Sequence, residues 1–289
     1  MIDYNPKAWF TFIFRFHKGD TVRKLSPMFL GLSVYSAIIA FLELKVFHLA
    51  ADNQLKNIVI VHTLLGFVIS TLLVFRTNTA YDRWWEGRKH WGALVNNSRN
   101  LAMKLNALLP AANTASRAYF RAMIPNYAFS LKNHLRLNFI GGELESAEGF
   151  TIDNNKHVPN QIAAQILAHI HELYRQQQIS GEQLITINHE LESFTNICGA
   201  CERIRNTPIP FSYSVFIKKF IFFYVMTLPL GYVFTLGYLI IPVVVFVFYV
   251  LASLELIAEE IEDPFGFDAN DLPTDTISAN IRKHVAEIL

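Results

Sequence analysis

Four short patterns carry residue types that can do chemistry, and each makes a demand that its spacing either meets or fails. HIHEL, His169 to Leu173, places two imidazoles and a carboxylate side by side. A zinc-protease helix needs histidines at i and i+4 with a glutamate after the first. The residue four after His171 is Arg175, so that reading fails and the histidines are expected on a helix surface. Cys198-Gly-Ala-Cys201 is a C-x-x-C pair, and the chain has two cysteines in all. A structural zinc site takes four ligands, and a redox pair belongs beside a βαβ pattern. This pair lies in a helical pattern, where Gly199 reads as a point of close helix approach. The third pattern is acidic: Asp268-Ala-Asn-Asp271 follows Glu259, Glu260, Glu262 and Asp263. Carboxylate and carbonyl oxygens suit calcium, but the EF-hand order is absent. The block therefore reads either as a solvated acidic tail or as a cation site. The fourth is a stripe, Phe67, Thr71 and Phe75, inside an apolar run, with Thr63 and Ser70 near the same side. Residues at i, i+4 and i+8 face one way on a helix. Such a stripe packs against a neighbouring transmembrane helix, or it lines a pore to which each subunit of an oligomer lends one helix, gated by dewetting of apolar rings.

The elements that position these patterns are mostly apolar helices. The 289 residues are 52% hydrophobic and 17% charged, where soluble domains carry about 25% charged residues. Four segments have the length and composition to span a bilayer: Met28 to His48, Ile58 to Phe75, Phe220 to Leu236 and Tyr238 to Ile257. The last two are joined so tightly that they form a hairpin. Basic residues gather before the first span, after the second and before the third, whereas the link between spans one and two holds little beyond Lys45, Asp52 and Lys56. The positive-inside rule puts both termini and the middle region in the cytoplasm. The N-terminus has no basic region leading into an apolar core and does not read as a cleaved signal peptide. A net charge of +1 gives no reason to expect nucleic acid as a partner.

The middle region is helical in pattern. A helix ends at Pro110, a second is bent by Pro125, a polar loop covers Gly141 to His157, a third covers Asn160 to Gln177, and Ser180 with Gln183 opens a fourth through a capping box. The tail beyond Pro264 reads as extended, then weakly helical. The chain divides into residues 1–83 (N-terminal segment and the first two spans), 84–218 (cytoplasmic helices), 219–258 (spans three and four) and 259–289 (acidic block and tail). With no serine–histidine–acid set, phosphate loop or dinucleotide fingerprint, an enzyme is not expected.

Several blocks together resemble the bestrophin family of ion channels, in its bacterial branch. They are RFHKGDTVRKLSPMFL, Phe75 followed eight residues later by Arg83-Trp84-Trp85, CGACERIRNTPIPFSYS, and EEIEDPFGFDANDLP. They follow the family order across most of the chain and leave out Gly141 to His157. The resemblance implies an all-α membrane protein, a homopentamer in the bacterial inner membrane whose second helices surround a central pore, with the cytoplasmic helices as a vestibule. It places Phe67, Thr71 and Phe75 at a narrow neck and Ile209 at a cytosolic aperture. Arg83, Trp84 and Trp85 then form an interfacial belt on a helix that continues unbroken into water.

The sequence departs from the family pattern at two places. Animal members carry an aromatic at the middle neck position, and Thr71 makes a ring that wets more easily. Their acidic block clasps calcium; here Asp268 and Asp271 fall on two carboxylate positions, with Asp263 nearby, but Ala269 and Asn270 break the run. No cofactor is required; calcium or zinc is the candidate ion. The implied function is passage of small monovalent ions, chloride by family. Arg76 beside the neck favours anions, while Asp82 and the Glu255, Glu259 and Glu262 face favour cations, so sodium or potassium is the alternative. A non-conducting scaffold or sensor is the alternative of another class. The expected partners are other copies of the chain, lipid and the permeant ions.

Overall fold

The computed structural model describes residues 21–47, 57–138 and 140–289. Those residues are helical, with no strand among them, and they fall into two compact units.

The first unit comprises residues 1–83, 208–262 and 268–270. Helix α1, Thr21–Phe41, is prolonged by a π-helical turn at Leu42–Val46. Helix α2, Ile58–Leu108, is one unbroken rod of 51 residues, and its portion up to Arg83 belongs to this unit. Helix α6, Phe211–Leu236, and helix α7, Ile240–Glu262, are joined through a 3₁₀ turn at Gly237–Leu239. The reversal needs a left-handed residue, and Gly237 supplies it at φ +54° with no Cβ penalty. Among the described residues, three stretches are long and apolar enough to cross a membrane: Thr21–Val46, Ile58–Leu108 and the α6–α7 pair, Phe211–Glu262. Their shared core is aliphatic, with Ala40, Ile69, Leu73, Ile217, Ile221, Val225 and Val244 buried together. Gly66 of α2 lies against Tyr224 of α6, and an added Cβ there would stand 2.9 Å from the Tyr224 hydroxyl. Small residues at such crossings let backbones approach when no water is present to drive association. Polar side chains in this apolar setting bond to one another: Thr21 Oγ1 lies 2.7 Å from Ser253 Oγ, and His62 Nε2 lies 2.9 Å from Thr227 Oγ1.

The second unit comprises residues 84–207, 263–267 and 271–289. It holds the remainder of α2, then α3 (Thr114–Leu135), α4 (Val158–Arg175), α5 (Gly181–Asn206) and the C-terminal helix α8 (Thr274–Ile288). The starts of α3, α4 and α5 are capped by side chains, whereas α8 follows Pro273 with no side-chain cap. Asn113 accepts from the Ser116 N–H at 3.0 Å. Ser180 and Gln183 form both halves of a capping box. Pro125 lies inside α3 without ending it. The segment read as a loop, 141–157, contains a single 3₁₀ turn, Gly141–Glu143. The tail is non-helical after Glu262 and then helical, in the order read from the sequence, but the helix is longer and better packed than a weak one. It is a full 15-residue helix whose Ile281 and Val285 are buried in the unit's core, together with the terminal Leu289. Its composition is polar overall, so the one apolar face is easily missed.

The second unit's core is aromatic where α3 meets α5. Tyr127 stacks on Phe194 with centroids 4.8 Å apart, and its hydroxyl donates to the Phe194 carbonyl at 2.6 Å. Phe194→Ala should therefore cost about 3–5 kcal/mol, because the helices cannot close over the cavity. A wild-type denaturation midpoint in the detergent-solubilised variant would contradict that placement. Lys132, buried on α3, pairs with Glu143 at 2.7 Å and with Asp275 of α8 at 3.0 Å. Burial pushes the Asp275 carboxyl up, but bonds from Lys132 and Arg136 outweigh it and hold the group below the usual carboxylate range. A carboxylate depressed on folding stabilises the protein above its unfolded pKa, and the contribution disappears as pH falls through the folded value. Asp275→Asn should thus flatten the acid limb of a stability–pH curve below about pH 4, the ordinary aspartate value. An unchanged limb would show that these ion pairs add nothing.

Candidate functional site

The first 26 residues of α2 present two chemically different faces. His62, Ile69, Leu73, Arg76 and Ala80 are buried against the first unit. The opposite face carries Phe67 and Phe75, 76% and 61% exposed, with Thr71 between them and partly covered. The stripe therefore does not belong to the packed face of its own chain. Every serine and threonine hydroxyl along this stretch bonds back to the carbonyl four residues before it: Thr63 to Val59, Ser70 to Gly66, Thr71 to Phe67, Thr77 to Leu73 and Thr79 to Phe75, at 2.7 to 3.0 Å. Such back-bonding satisfies the donor without water. At Thr71 it leaves the oxygen lone pairs free to accept.

One residue past Phe75 the opposite face carries a charge network. Arg76 is 1% exposed, and its Nη2 meets Glu262 at 2.7 Å while Nε lies 3.5 Å from Glu255, which is 4% exposed. Glu262 also accepts from the Ile209 backbone N–H at 2.6 Å, and its carbonyl accepts from Arg83 Nε at 3.0 Å. The remaining acid of this helical face, Glu259, pairs with Lys218 at 2.9 Å. This corrects the charge reading of the sequence. Arg76 is not a free cation beside the stripe, nor are Glu255, Glu259 and Glu262 a free anionic face, because a charge in apolar surroundings persists only when paired. The spacing of Arg76 and Glu262, 186 positions apart, gives no hint of the pairing. What could have flagged it is the presence of opposite charges at the ends of two apolar helices.

The other sequence candidates fall as follows. Arg83 is tied to Glu262, Trp84 packs against the second unit's core and Trp85 is largely exposed. Of the acidic block, Asp268 lies in the first unit, while Asp263 and Asp271 lie in the second. Asp263 and Asp268 are exposed, whereas Asp271 is buried against Gly266, where an added Cβ would stand 2.9 Å from its Oδ2. The Cys198 and Cys201 thiols are free and buried, and burial pushes both up, Cys198 to about 12. Neither is a thiolate at neutral pH, which removes the nucleophile that redox chemistry requires. In HIHEL, His171 is exposed and His169 is partly buried. It stacks on Tyr119 with centroids 4.1 Å apart and bonds the Ser116 hydroxyl at 3.1 Å. The block RFHKGDTVRKLSPMFL falls partly outside the described residues. Among the described residues, the histidines and acids whose ligating atoms converge are His134, His157 and Glu202, a group the sequence pass did not single out.

Apolar helices of spanning length, joined to a helical unit with its own core, define a helical membrane protein. Residues 1–287 match the family described as bacterial/fungal bestrophin protein, and the chain belongs to that family. It is 32% identical over 290 residues to a voltage-dependent anion channel-forming protein of Nostoc sp., covering 98% of this chain and 92% of the relative. It is 30% identical to the voltage-dependent anion channel-forming protein YneE of Escherichia coli K12, covering 96% and 90%. A crystal structure of a bacterial bestrophin homologue from Klebsiella pneumoniae, in a point-mutant form, superposes with a TM-score of 0.80 at 28% identity, covering 92% of this chain and 98% of that one. A second structure of that homologue, phased with zinc, gives 0.79 at 28% identity over 90% and 96%.

Proposed function

We propose that the chain is one subunit of a homopentameric channel for small monovalent anions, with four transmembrane helices and both termini in the cytoplasm of a bacterial cell. The α2 helices of five subunits would surround the conduction path, with Phe67, Thr71 and Phe75 at a neck and Ile209 at a cytosolic aperture. The observation that carries this reading is the division of α2 into a buried face and an exposed Phe67–Thr71–Phe75 face. The names of the relatives support the anion preference. Apolar rings select ions that shed water cheaply and leave the sign to nearby charges. A specific observation favours a second reading, a monovalent-cation channel of the same architecture. Arg76 is neutralised by two carboxylates and so lends the neck no positive field. Currents across planar bilayers in a potassium chloride gradient separate the two. The anion channel should reverse near the chloride equilibrium potential, and reversal at the potassium value would establish the cation reading instead. Ile209→Ala should change the current, because the side chain would occupy the aperture; unchanged current would remove Ile209 from the path. The acidic residues Asp263, Asp268 and Asp271 remain the candidate calcium positions within this proposal.

A further inference from the structure

In the second unit three elements converge at one carboxylate. Glu202, in the last turn of α5, receives His134 Nε2 at 2.7 Å and His157 Nε2 at 2.8 Å on the same oxygen, Oε1. His134 ends α3, and His157 is the N-cap of α4. The ligating atoms of all three lie within 4.8 Å of one another, and each side chain is about 30% exposed, so an ion can reach them. Burial, opposed by Glu202 and aided by His157 and Arg205, holds the His134 imidazole below its ordinary value. Burial pushes Glu202 up, but the two imidazole bonds outweigh it and keep it an anion. Two imidazoles and one carboxylate are a catalytic-type zinc donor set, with a fourth position left to water.

The bond at the far side of His157 adds a constraint. Its Nδ1 accepts the Asn160 backbone N–H at 3.1 Å, so the proton of the neutral ring sits on Nε2, facing Glu202. A metal at Nε2 requires that proton to move to Nδ1, which then cannot accept from Asn160. The shift is a tautomerisation with no net proton released. We propose that His134, His157 and Glu202 form a site for a borderline divalent transition-metal cation such as Zn²⁺, and that loading it releases the first turn of α4 from its histidine cap. The ion is chosen by the donors: imidazole suits zinc, copper and nickel, whereas calcium takes six to eight oxygens.

Titration of the purified full-length protein with zinc chloride tests this. The expected result is saturable uptake of one ion per chain that weakens at least tenfold, roughly the effect of losing one ligand, in Glu202→Gln and His134→Ala. His157→Asn is the decisive variant, because asparagine still caps α4 but lacks the imidazole. It should keep the metal-free melting temperature and lose the zinc affinity. Hydrogen exchange at Asn160 should quicken on zinc addition in the wild type and stay unchanged in His157→Asn. No uptake, or uptake equal in all variants, would overturn the site. Uptake with unchanged exchange at Asn160 would overturn its link to the cap.

Discussion

Arg76→Leu is expected to destabilise the protein by about 3–5 kcal/mol, the cost of leaving one side of a buried ion pair uncompensated. The guanidinium is the common partner of Glu255 and Glu262, and it is sealed from water. Removing it leaves two carboxylates toward the C-terminal end of α7, and no other basic group is seen to pair with Glu255 among the described residues. Glu262 keeps one donor, the Ile209 N–H, so it is the better tolerated of the two. This predicts a graded rescue. Arg76→Leu with Glu255→Leu should recover most of the lost stability, since replacing a whole buried pair by apolar residues is often neutral or better. Glu262→Ala should act differently, because it also frees the backbone of Ile209 from the base of α7. Its stability loss should come with altered current, while the Glu255 variants alter stability alone. The thermal midpoint of the detergent-solubilised protein, read alongside current, distinguishes these cases. A wild-type midpoint in Arg76→Leu would mean that the pairing carries no weight.

How far this network and its surroundings are legible in the sequence depends on the range of the interactions. Helix α2 announces itself: an apolar run, an Arg–Trp–Trp junction and leucines at Leu94, Leu101 and Leu105 keep one helical period with no proline between them. The Ser180–Gln183 box is equally local, and the structure builds it as written. Charge pairings are not legible locally because they are set by contacts between distant positions. Arg76 stands beside Phe75 in the sequence, while its ion-pair partners lie on a helix that starts at Ile240. The His134–Glu202–His157 cluster joins positions 68 and 45 apart from three elements, and no sequence pattern links the three. The packing of helix α8 is illegible for another reason. Its Ile277, Ile281 and Val285 do fall on one face, but a short apolar stripe in a polar tail means little until a core exists to receive it. The Phe67–Thr71–Phe75 stripe is the intermediate case. Periodicity puts the three residues on one face, and only the burial of the opposite face separates that face from the packed one.

Thr71→Phe is the second large effect expected, a fall of about tenfold or more in ion flux, since each added 1.4 kcal/mol of barrier is a factor of ten in rate. It rests on the proposed assembly, in which five copies of the residue would face one another. The threonine hydroxyl donates to the Phe67 carbonyl at 2.9 Å, so its proton is taken while its lone pairs remain for water. A ring of five such oxygens gives water a foothold between two phenyl rings. A phenyl at position 71 removes it and makes three consecutive apolar rings, which lengthens the stretch over which water must be expelled or an ion stripped. The substitution falls on the exposed face of α2 and away from Ile69, Leu73 and Arg76, so folding should be spared. Thr71→Ser keeps an oxygen and should retain most of the flux; Thr71→Val keeps the shape without the oxygen and should fall between the serine and phenylalanine variants. Tracer efflux from proteoliposomes, with oligomer mass checked by sizing in detergent, gives the ordering. If phenylalanine, valine and serine all conduct like the wild type at unchanged mass, the stripe is not in the ion path, and the exposed face of α2 serves packing between subunits instead.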